Sequence, residues 1–248
     1  MTNCAELLLP RRCPVCDEPV RFPHPLICPE CEKRLARIGE LSCECCGRGI
    51  ADWTAPKCRS CGRIPHSFAR GAVTFSYQTT QQSIFRYKYG GRREYADYYA
   101  SQMALRVREV FGDECFDLMI PVPLSEEKRK KRGFNQAELL AEKMSPLLAV
   151  PVRSDLLQRK KDTAPLKDQS FFARRKSLGD AFVINRLSYD YDVKLKTILL
   201  VDDVFTTGAT IDACADVLLE EGVSKVCFVV LSSYSEEEIR PETEDLVR

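Results

Sequence analysis

The chain has 248 residues, of which 44% are hydrophobic, and a formal net charge of +1 at pH 7. This length is enough for one large domain, or for a medium one with a small appendage, and for a sizeable core. The near-neutral charge excludes a global attraction to nucleic acid or to anionic membranes, so any such binding needs local patches. No apolar run approaches the length of about eighteen residues that a membrane helix requires. We therefore expect a globular, soluble protein with no membrane insertion.

Cysteine is abundant, with 13 residues. The N-terminal segment has no basic region followed by a long apolar core, so it does not predict export. Many cysteines in such a chain indicate metal ligation or reduced thiols rather than a disulfide framework. We expect a cytoplasmic protein.

Two cysteine quartets occupy the first part of the chain, and the second repeats the spacing of the first. Each consists of two Cys-x-x-Cys pairs, and the members are Cys13, Cys16, Cys28 and Cys31, then Cys43, Cys46, Cys58 and Cys61. Four thiolates close a tetrahedron around Zn²⁺ and leave no open position for chemistry. The quartets predict two structural zinc ions in a double zinc ribbon. Cys45 offers a competing ligand, so sequential and interleaved pairing both stay open.

The other polar residues of the ribbons are interpreted as surface groups. Nucleic acid or a protein partner is the alternative for the arginines, but a solvated surface is favoured because the total charge is not basic. With four cysteines already in each quartet, the two histidines are expected to be surface residues as well. The side chains concerned are Arg11, Arg12, Arg21, Arg48, Arg59, Arg63, His24 and His66.

The next part of the chain alternates strand and helix patterns. We predict strands at 72–77, 116–123 and 150–152, and helices at 94–111 and 135–147. Residues 126–133 contain five successive cations and are predicted to form a basic loop. Residues 153–176, with an excess of cations, are interpreted as a mobile lid over an anionic substrate.

The C-terminal part predicts a parallel β-loop-α-β unit. Strands are expected at 181–185, 197–201 and 225–232, with a helix at 210–221 that ends at Gly222. Cys115, Cys214 and Cys227 lie in apolar surroundings and are expected to be core thiols. Residues 235–248 are acidic and are expected to form a loose tail.

The stretch Ile198-Leu-Leu-Val-Asp-Asp-Val-Phe-Thr-Thr-Gly-Ala-Thr210 predicts a phosphate site. Amides near Gly208, the following helix N-terminus and the neighbouring hydroxyls are suited to one anion. The residues of this loop are Thr206, Thr207, Gly208, Ala209 and Thr210. Because carboxylates repel phosphate, Asp202 and Asp203 are expected to accept hydrogen bonds from ribose hydroxyls or to help hold Mg²⁺.

This stretch resembles the ribose-5-phosphate loop of the type I phosphoribosyltransferases. The resemblance implies an α/β fold, a parallel sheet flanked by helices, to which the ribbons add a small N-terminal region. It also implies that phosphoribosyl pyrophosphate binds with its 5′-phosphate in the loop and its ribose on Asp202 and Asp203, the predicted catalytic pair. Its pyrophosphate would lie on Mg²⁺, on Lys88 and on donors that include Arg132.

More of the chain is similar to the ComF family, a zinc-ribbon region joined to a phosphoribosyltransferase-type domain. The likeness rests on Tyr87-Lys-Tyr-Gly-Gly-Arg92, Ile120-Pro-Val-Pro-Leu124, Lys131-Arg-Gly-Phe-Asn-Gln-Ala137 and the phosphate loop. It implies a link to competence and DNA uptake. We predict a double zinc ribbon at 1–66, a phosphoribosyltransferase-like domain at 67–234 and the tail at 235–248.

Two functions are compatible with these features of the sequence. The first is transfer of a phosphoribosyl group to a nitrogen nucleophile. The alternative is a module without catalysis that binds a nucleotide or single-stranded DNA, alone or as a scaffold beside a helicase-like competence protein.

Overall fold

The structure is a computed structural model that describes residues 10–20, 26–52, 54–160, 181–185 and 193–236. Most of the predicted lid, His24, and the greater part of the acidic tail lie outside these ranges. The predicted domain limits of 66 and 234 stay a prediction. Among the described residues, none of the helices has both the length and the apolar composition that crossing a membrane requires.

The two ribbons have the same local architecture. Each starts with a turn closed by an antiparallel bridge, Arg12 with Pro19 in the first ribbon and Ser42 with Gly49 in the second. Each continues into a short helix, α1 (Pro29–Arg34) or α2 (Arg59–Arg63), which begins directly after a cysteine. The repeat in the sequence is therefore a repeat in structure.

A parallel sheet forms the centre of the rest of the chain. Its strands are β1 (Arg70–Ser76), β2 (Leu118–Pro121), β5 (Thr197–Phe205) and β6 (Lys225–Ser233), in the order β1-β6-β5-β2. All three pairings are parallel. The helices α3 (Tyr77–Tyr89) and α4 (Tyr95–Phe111) connect β1 to β2, and α7 (Ala209–Glu220) connects β5 to β6. The predicted α/β fold with a helix-flanked parallel sheet is confirmed.

The predicted basic loop is wrong, because most of it is a helix, α5 (Glu126–Arg132). The Ser125 side chain caps its N-terminus by accepting from the Lys128 N–H, and Gly133 ends it with φ of 76°. Acidic residues occupy the first turn and basic residues the last, which complements the helix dipole. The successive cations therefore belong to a short helix that has no buried residues.

Several other limits differ from the sequence predictions. Residues 77–89 form α3, which begins after the Ser76 cap, where the alternating pattern predicted the end of a strand. The helix α6 (Gln136–Leu148) lies close to its predicted place, whereas the strand at 150–152 is reduced to one bridge between Met119 and Val152. The start of the predicted lid instead forms β3 (Leu157–Arg159), which pairs antiparallel with β4 (Phe182–Ile184).

The core lies on both faces of the sheet because successive strand residues point to opposite sides. Ile198 and Leu200 of β5 belong to one buried cluster and Leu199 and Val201 to the other. The cysteines of the second ribbon join the first of these clusters, whereas Cys13 and Cys31 of the first ribbon join the other. The two ribbons therefore extend the core on opposite faces.

The three predicted core thiols differ in burial. Cys214 and Cys227 are buried as expected, whereas Cys115 is exposed. Cys115 follows the turn after α4 and precedes β2, so it lies outside the buried strand.

Candidate functional site

The loop after β5 presents an uncapped helix start. Gly208 is the N-cap of α7, with φ of 86° and no side-chain cap. In the described part of the chain, the Thr207 and Gly208 N–H groups donate to no acceptor. A Cβ at position 208 would lie 3.1 Å from the Phe205 ring and 3.2 Å from His66. Glycine is required here by conformation and by space, and the loop leaves backbone donors and the positive end of the α7 dipole for an anion.

The two acids lie within β5 rather than after it, because the strand continues to Phe205. Their side chains lie on opposite faces of the strand. The Asp203 carboxylate pairs with the Lys88 ammonium group at 2.9 Å. The Asp202 carboxylate accepts from the Asp203 N–H at 2.8 Å, and burial together with the charge of Asp203 raises the pKa of Asp202 to about 7. The two adjacent acids thus differ in their partners.

The predicted pyrophosphate donors converge on the same edge of the sheet. Lys88 lies in the last turn of α3 and Arg132 ends α5, and the positive charge of both acts on Asp202 against the effect of burial. The Val122 N–H donates to the Val201 carbonyl at 2.9 Å, which places the turn after β2 beside the acids. The structure therefore brings Lys88 and Arg132 to the acid pair. Their role as ligands of a substrate stays a prediction.

Arg132 is held from two sides. Its guanidinium donates to the Gln136 side chain at 2.7 Å and to the Tyr89 hydroxyl at 2.9 Å. Burial acts to raise the pKa of the Tyr89 phenol, but Arg132 outweighs it and lowers that pKa. The Arg132 Nε is buried without a hydrogen-bond partner in the described structure.

A cavity of about 660 Å³ adjoins this cluster, and it was not predicted from the sequence. Phe85, which is 64% exposed, and Tyr89, which is 47% exposed, lie on its wall with their rings 5.3 Å apart. Arg86, Lys88 and Arg132 add positive charge to the lining. The sequence feature that could have indicated the cavity wall is the four-residue spacing of Phe85 and Tyr89. This spacing places both rings on one face of a helix, but it is informative only once residues 77–89 are known to be helical.

Both cysteine quartets are sequential. Within each, all four sulfurs lie within 4.8 Å of one another. The Cys16–Cys28 and Cys46–Cys58 sulfur distances are both 3.8 Å. A tetrahedron with bonds of about 2.3 Å to zinc has edges of about 3.8 Å. The eight cysteines therefore fit two structural zinc ions. Cys45 lies with Cys61 and His66 in a third set, whose three ligand atoms also lie within 4.8 Å of one another, so Cys45 is close to the second quartet.

Two predicted surface residues of the second ribbon are buried. Arg48 is 2% exposed and donates to the Thr206 carbonyl at 2.6 Å. Burial opposes its charge, but the neighbouring Cys46, Cys58 and Cys61 outweigh this and raise the pKa of the Arg48 guanidinium. The His66 Nδ1 lies 2.8 Å from the Asp212 carboxylate, and the His66 side chain is 3% exposed. The expectation of a solvated surface is wrong for both because they lie between the ribbon and the phosphate loop.

Two domain families match different parts of the chain. The double zinc ribbon domain matches residues 4–64, and the phosphoribosyl transferase domain matches residues 132–247. Among solved structures, a purine phosphoribosyltransferase from Pyrococcus horikoshii Ot3 has 18% sequence identity and a TM-score of 0.33, covering 55% of this chain and 71% of that one.

Curated relatives are named as competence proteins or as DNA utilization proteins. Competence protein ComFC of Bacillus subtilis is 30% identical over 147 residues, which cover 57% of this chain and 54% of the relative. DNA utilization protein YhgH of Escherichia coli O157:H7 is 32% identical over 146 residues, covering 58% of this chain and 62% of the relative. The chain thus spans about half the length of the curated relatives it matches.

The fold, the cysteine quartets and the two domain matches define the class: a double zinc ribbon joined to a phosphoribosyl transferase domain. Within that class the predicted likeness to the ComF family is confirmed, because the relatives are competence and DNA utilization proteins at about 30% identity.

Proposed function

We propose that the chain binds phosphoribosyl pyrophosphate at the carboxyl end of β5 and transfers its phosphoribosyl group to a nitrogen nucleophile, as a cytoplasmic protein of DNA uptake. The observation that carries the proposal is the uncapped start of α7. Among the described residues, the Thr207 and Gly208 amides have no acceptor, and they follow a strand that holds two acids. A phosphate needs such donors, and a pentose next to it needs acceptors.

Each group has a role in this proposal. The amides and hydroxyls of residues 206–210 bind the 5′-phosphate, and the Asp202 carboxylate accepts from the ribose hydroxyls. Mg²⁺, whose preferred ligands are oxygens, would be held by the pyrophosphate and the acid pair and would neutralise charge on the leaving group. Because Asp203 is already paired with Lys88, the binding of pyrophosphate would offer the Lys88 ammonium group a second anion.

The reaction would separate charge. The bond from C1 of the ribose to the pyrophosphate oxygen breaks, and pyrophosphate leaves with the bonding electrons. A bond from the nitrogen forms at the same carbon, and the proton of the nitrogen passes to solvent. Lys88 and Arg132 would stabilise the charge that develops on pyrophosphate.

The test follows pyrophosphate release from phosphoribosyl pyrophosphate and Mg²⁺ with a panel of nucleobases and ammonia. Turnover by the wild type, with a loss of about a hundredfold or more in Asp202→Asn, is the expected result. The matched control is Asp113→Asn, because Asp113 is exposed in the turn after α4. If calorimetry detects no binding of either phosphoribosyl pyrophosphate or ribose 5-phosphate, the proposal is wrong.

A second candidate function has support from the cavity beside α3. Its two exposed aromatic residues and three cations are the combination that binds unstacked nucleotides. In this version the chain is a nucleotide- or single-strand-binding module, alone or with a helicase-like partner, and has no turnover. The expected result is that labelled oligonucleotides bind in a salt-dependent manner and that Phe85→Ala weakens binding. Leu105→Ala, which changes an exposed apolar residue of α4, is the control.

A further inference from the structure

The second ribbon lies directly behind the phosphate loop. The Arg48 Nη2 donates to the Thr206 carbonyl at 2.6 Å, across 158 positions of sequence, and the guanidinium lies 5.4 Å from the centre of the Phe205 ring. Arg48 follows Cys46 by two residues and is almost fully buried. One side chain therefore joins a predicted zinc ligand set to the last strand residue and the first loop residue of the phosphate site.

The hydrogen bond fixes the direction of a peptide plane. In a trans peptide the carbonyl of one residue and the N–H of the next point in opposite directions. Since the Thr206 carbonyl points toward Arg48 and the ribbon, the Thr207 N–H points away from the ribbon. This is one of the two amides that have no acceptor in the described part of the chain. Arg48 thus acts on the orientation of a phosphate donor without approaching the phosphate.

Two further contacts from the segment after the second ribbon reach the first turn of α7. Asp212 is fully buried, and its carboxylate accepts from the Ser67 N–H at 2.8 Å and lies 2.8 Å from His66. An unpaired carboxylate at this point would oppose an anion at the start of the helix. The segment after the second ribbon therefore supplies polar partners for that carboxylate.

Charge explains why an arginine is suited to this position. Four thiolates on a divalent zinc ion carry a net charge of about −2, and a buried guanidinium offsets part of it. The charges that act on Arg48 come from Cys46, Cys58 and Cys61. Its Nε is buried and has no hydrogen-bond partner among the described residues. The side chain thus has the ligand set on one side and the Thr206 carbonyl on the other.

We propose that Arg48 is a positioning residue of the phosphate loop, which bridges the second cysteine quartet and the Thr206 carbonyl and thereby orients the Thr207 amide for an anion. The inference depends on the proposed function for the identity of the anion, but not for the coupling itself. It makes the second quartet part of the support of the phosphate loop.

The experiment compares Arg48→Met and Arg48→Lys with the wild type in full-length, zinc-loaded protein. The probe is ribose 5-phosphate, measured by calorimetry. We expect Arg48→Met to weaken binding by about tenfold or more, since a hydrogen bond from a charged group is lost, and Arg48→Lys to weaken it less. Zinc content should stay at two ions per chain in each variant, which shows that the ribbon is intact. Arg12→Met is the matched control, because the Arg12 side chain donates to a carbonyl within the first ribbon.

Hydrogen exchange gives a second measurement that needs no ligand. Arg48→Met should speed exchange of the amides at 206–209, while the first ribbon keeps its protection. Equal exchange and equal affinity in Arg48→Met and wild type would overturn the inference. If the wild type does not bind ribose 5-phosphate but loop exchange still depends on Arg48, then the coupling stands and the proposed function fails.

Discussion

The two ribbons share one turn and attach to the domain by different chemistry. Asp17 and Gly47 occupy the same place after the first Cys-x-x-Cys pair, and both are left-handed, with φ of 63° and 73°. At this place in the first ribbon a side chain contacts the domain, because the Asp17 carboxylate accepts from Arg92 at 2.9 Å and from the Tyr95 hydroxyl at 2.5 Å. At the same place in the second ribbon the backbone packs against the domain, and a Cβ at Gly47 would collide with the Gly71 carbonyl oxygen.

The next residue in each turn extends the contrast. Glu18 of the first ribbon has its counterpart in Arg48, which is buried against the phosphate loop. Exposure follows the same division. Cys16 is exposed and Cys28 is half-buried, whereas all four cysteines of the second quartet are buried. The repeated unit thus has one copy with a more exposed cysteine quartet and one copy that packs behind the phosphate loop.

Loss of zinc should produce the largest effect, because a structural zinc site contributes on the order of 10 kcal/mol to ribbon folding. We expect two phases when a chromogenic chelator removes zinc. The fast phase belongs to the first ribbon, whose Cys16 is accessible, and the slow phase to the second. Cys16→Ser should remove only the fast phase. A single phase, or loss of the slow phase in Cys16→Ser, would contradict the comparison.

Gly47→Ala adds a single methyl group and should still destabilise the protein strongly. The new Cβ meets a backbone oxygen that cannot move alone, and alanine is strained at this φ, so we expect a loss of about 3 kcal/mol or more in the free energy of unfolding by urea. Gly62→Ala in α2 is the control, since nothing lies within 4 Å of its Cβ position. Equal stability of the two variants would show that the backbone contact is not required.

Asp17→Ala should cost less, about 2 kcal/mol, because it removes one hydrogen-bonded carboxylate and leaves the second ribbon in place. Asp17→Asn is the informative companion, since asparagine tolerates the left-handed conformation but lacks the charge. Urea unfolding with zinc present measures both. If Asp17→Asn is as unstable as Asp17→Ala, the ion pair with Arg92 accounts for most of the stability that Asp17 contributes. If Asp17→Asn is as stable as the wild type, the left-handed conformation accounts for most of it.

The smallest expected effect is the pH dependence of stability, to which Asp202 and Asp17 contribute with opposite signs. Burial raises the pKa of Asp202 from 3.8 to about 7, so the folded chain keeps a proton that the unfolded chain releases. The stability from this group is complete below the unfolded value and is lost as the pH rises to about 7. Asp202→Asn abolishes this titration. Its Tm relative to the wild type should therefore rise between about pH 4 and about pH 8.

The stability that Asp17 contributes changes with pH in the opposite direction. Burial acts to raise the pKa of its carboxyl, but the hydrogen bonds from Arg92 and Tyr95 outweigh it and lower the pKa below 3.8. Its contribution is therefore present above that value and is lost as the pH falls through the lowered pKa. As the pH rises, the wild-type Tm should therefore increase at the acidic end and decrease toward pH 7. If the Tm increases with pH in both ranges, or decreases in both, one of the two assignments is wrong.

Local pattern was sufficient to predict the strand, loop and helix around Gly208, because apolar residues, a glycine and hydroxyls in sequence define that unit on their own. The spacing of the quartets likewise predicted the ribbons. Arg48 could not be predicted in the same way. Its partner is the Thr206 carbonyl, and no local signal in the ribbon indicates which surface packs against it. The helix α5 was missed although its signals were present, since the Ser125 cap and two acids precede the cations.

The strand order also bears on how the protein folds during synthesis. Strand β1 pairs with β6, at residues 70–76 and 225–233, so the ribosome has to make almost the entire chain before that edge of the sheet can form. The ribbon turns close over a few residues and can take up metal long before then. In a nascent chain the zinc ribbons could thus be folded while β1 still lacks its neighbouring strand β6. That interval exposes an apolar strand edge, and it is where aggregation during expression would begin.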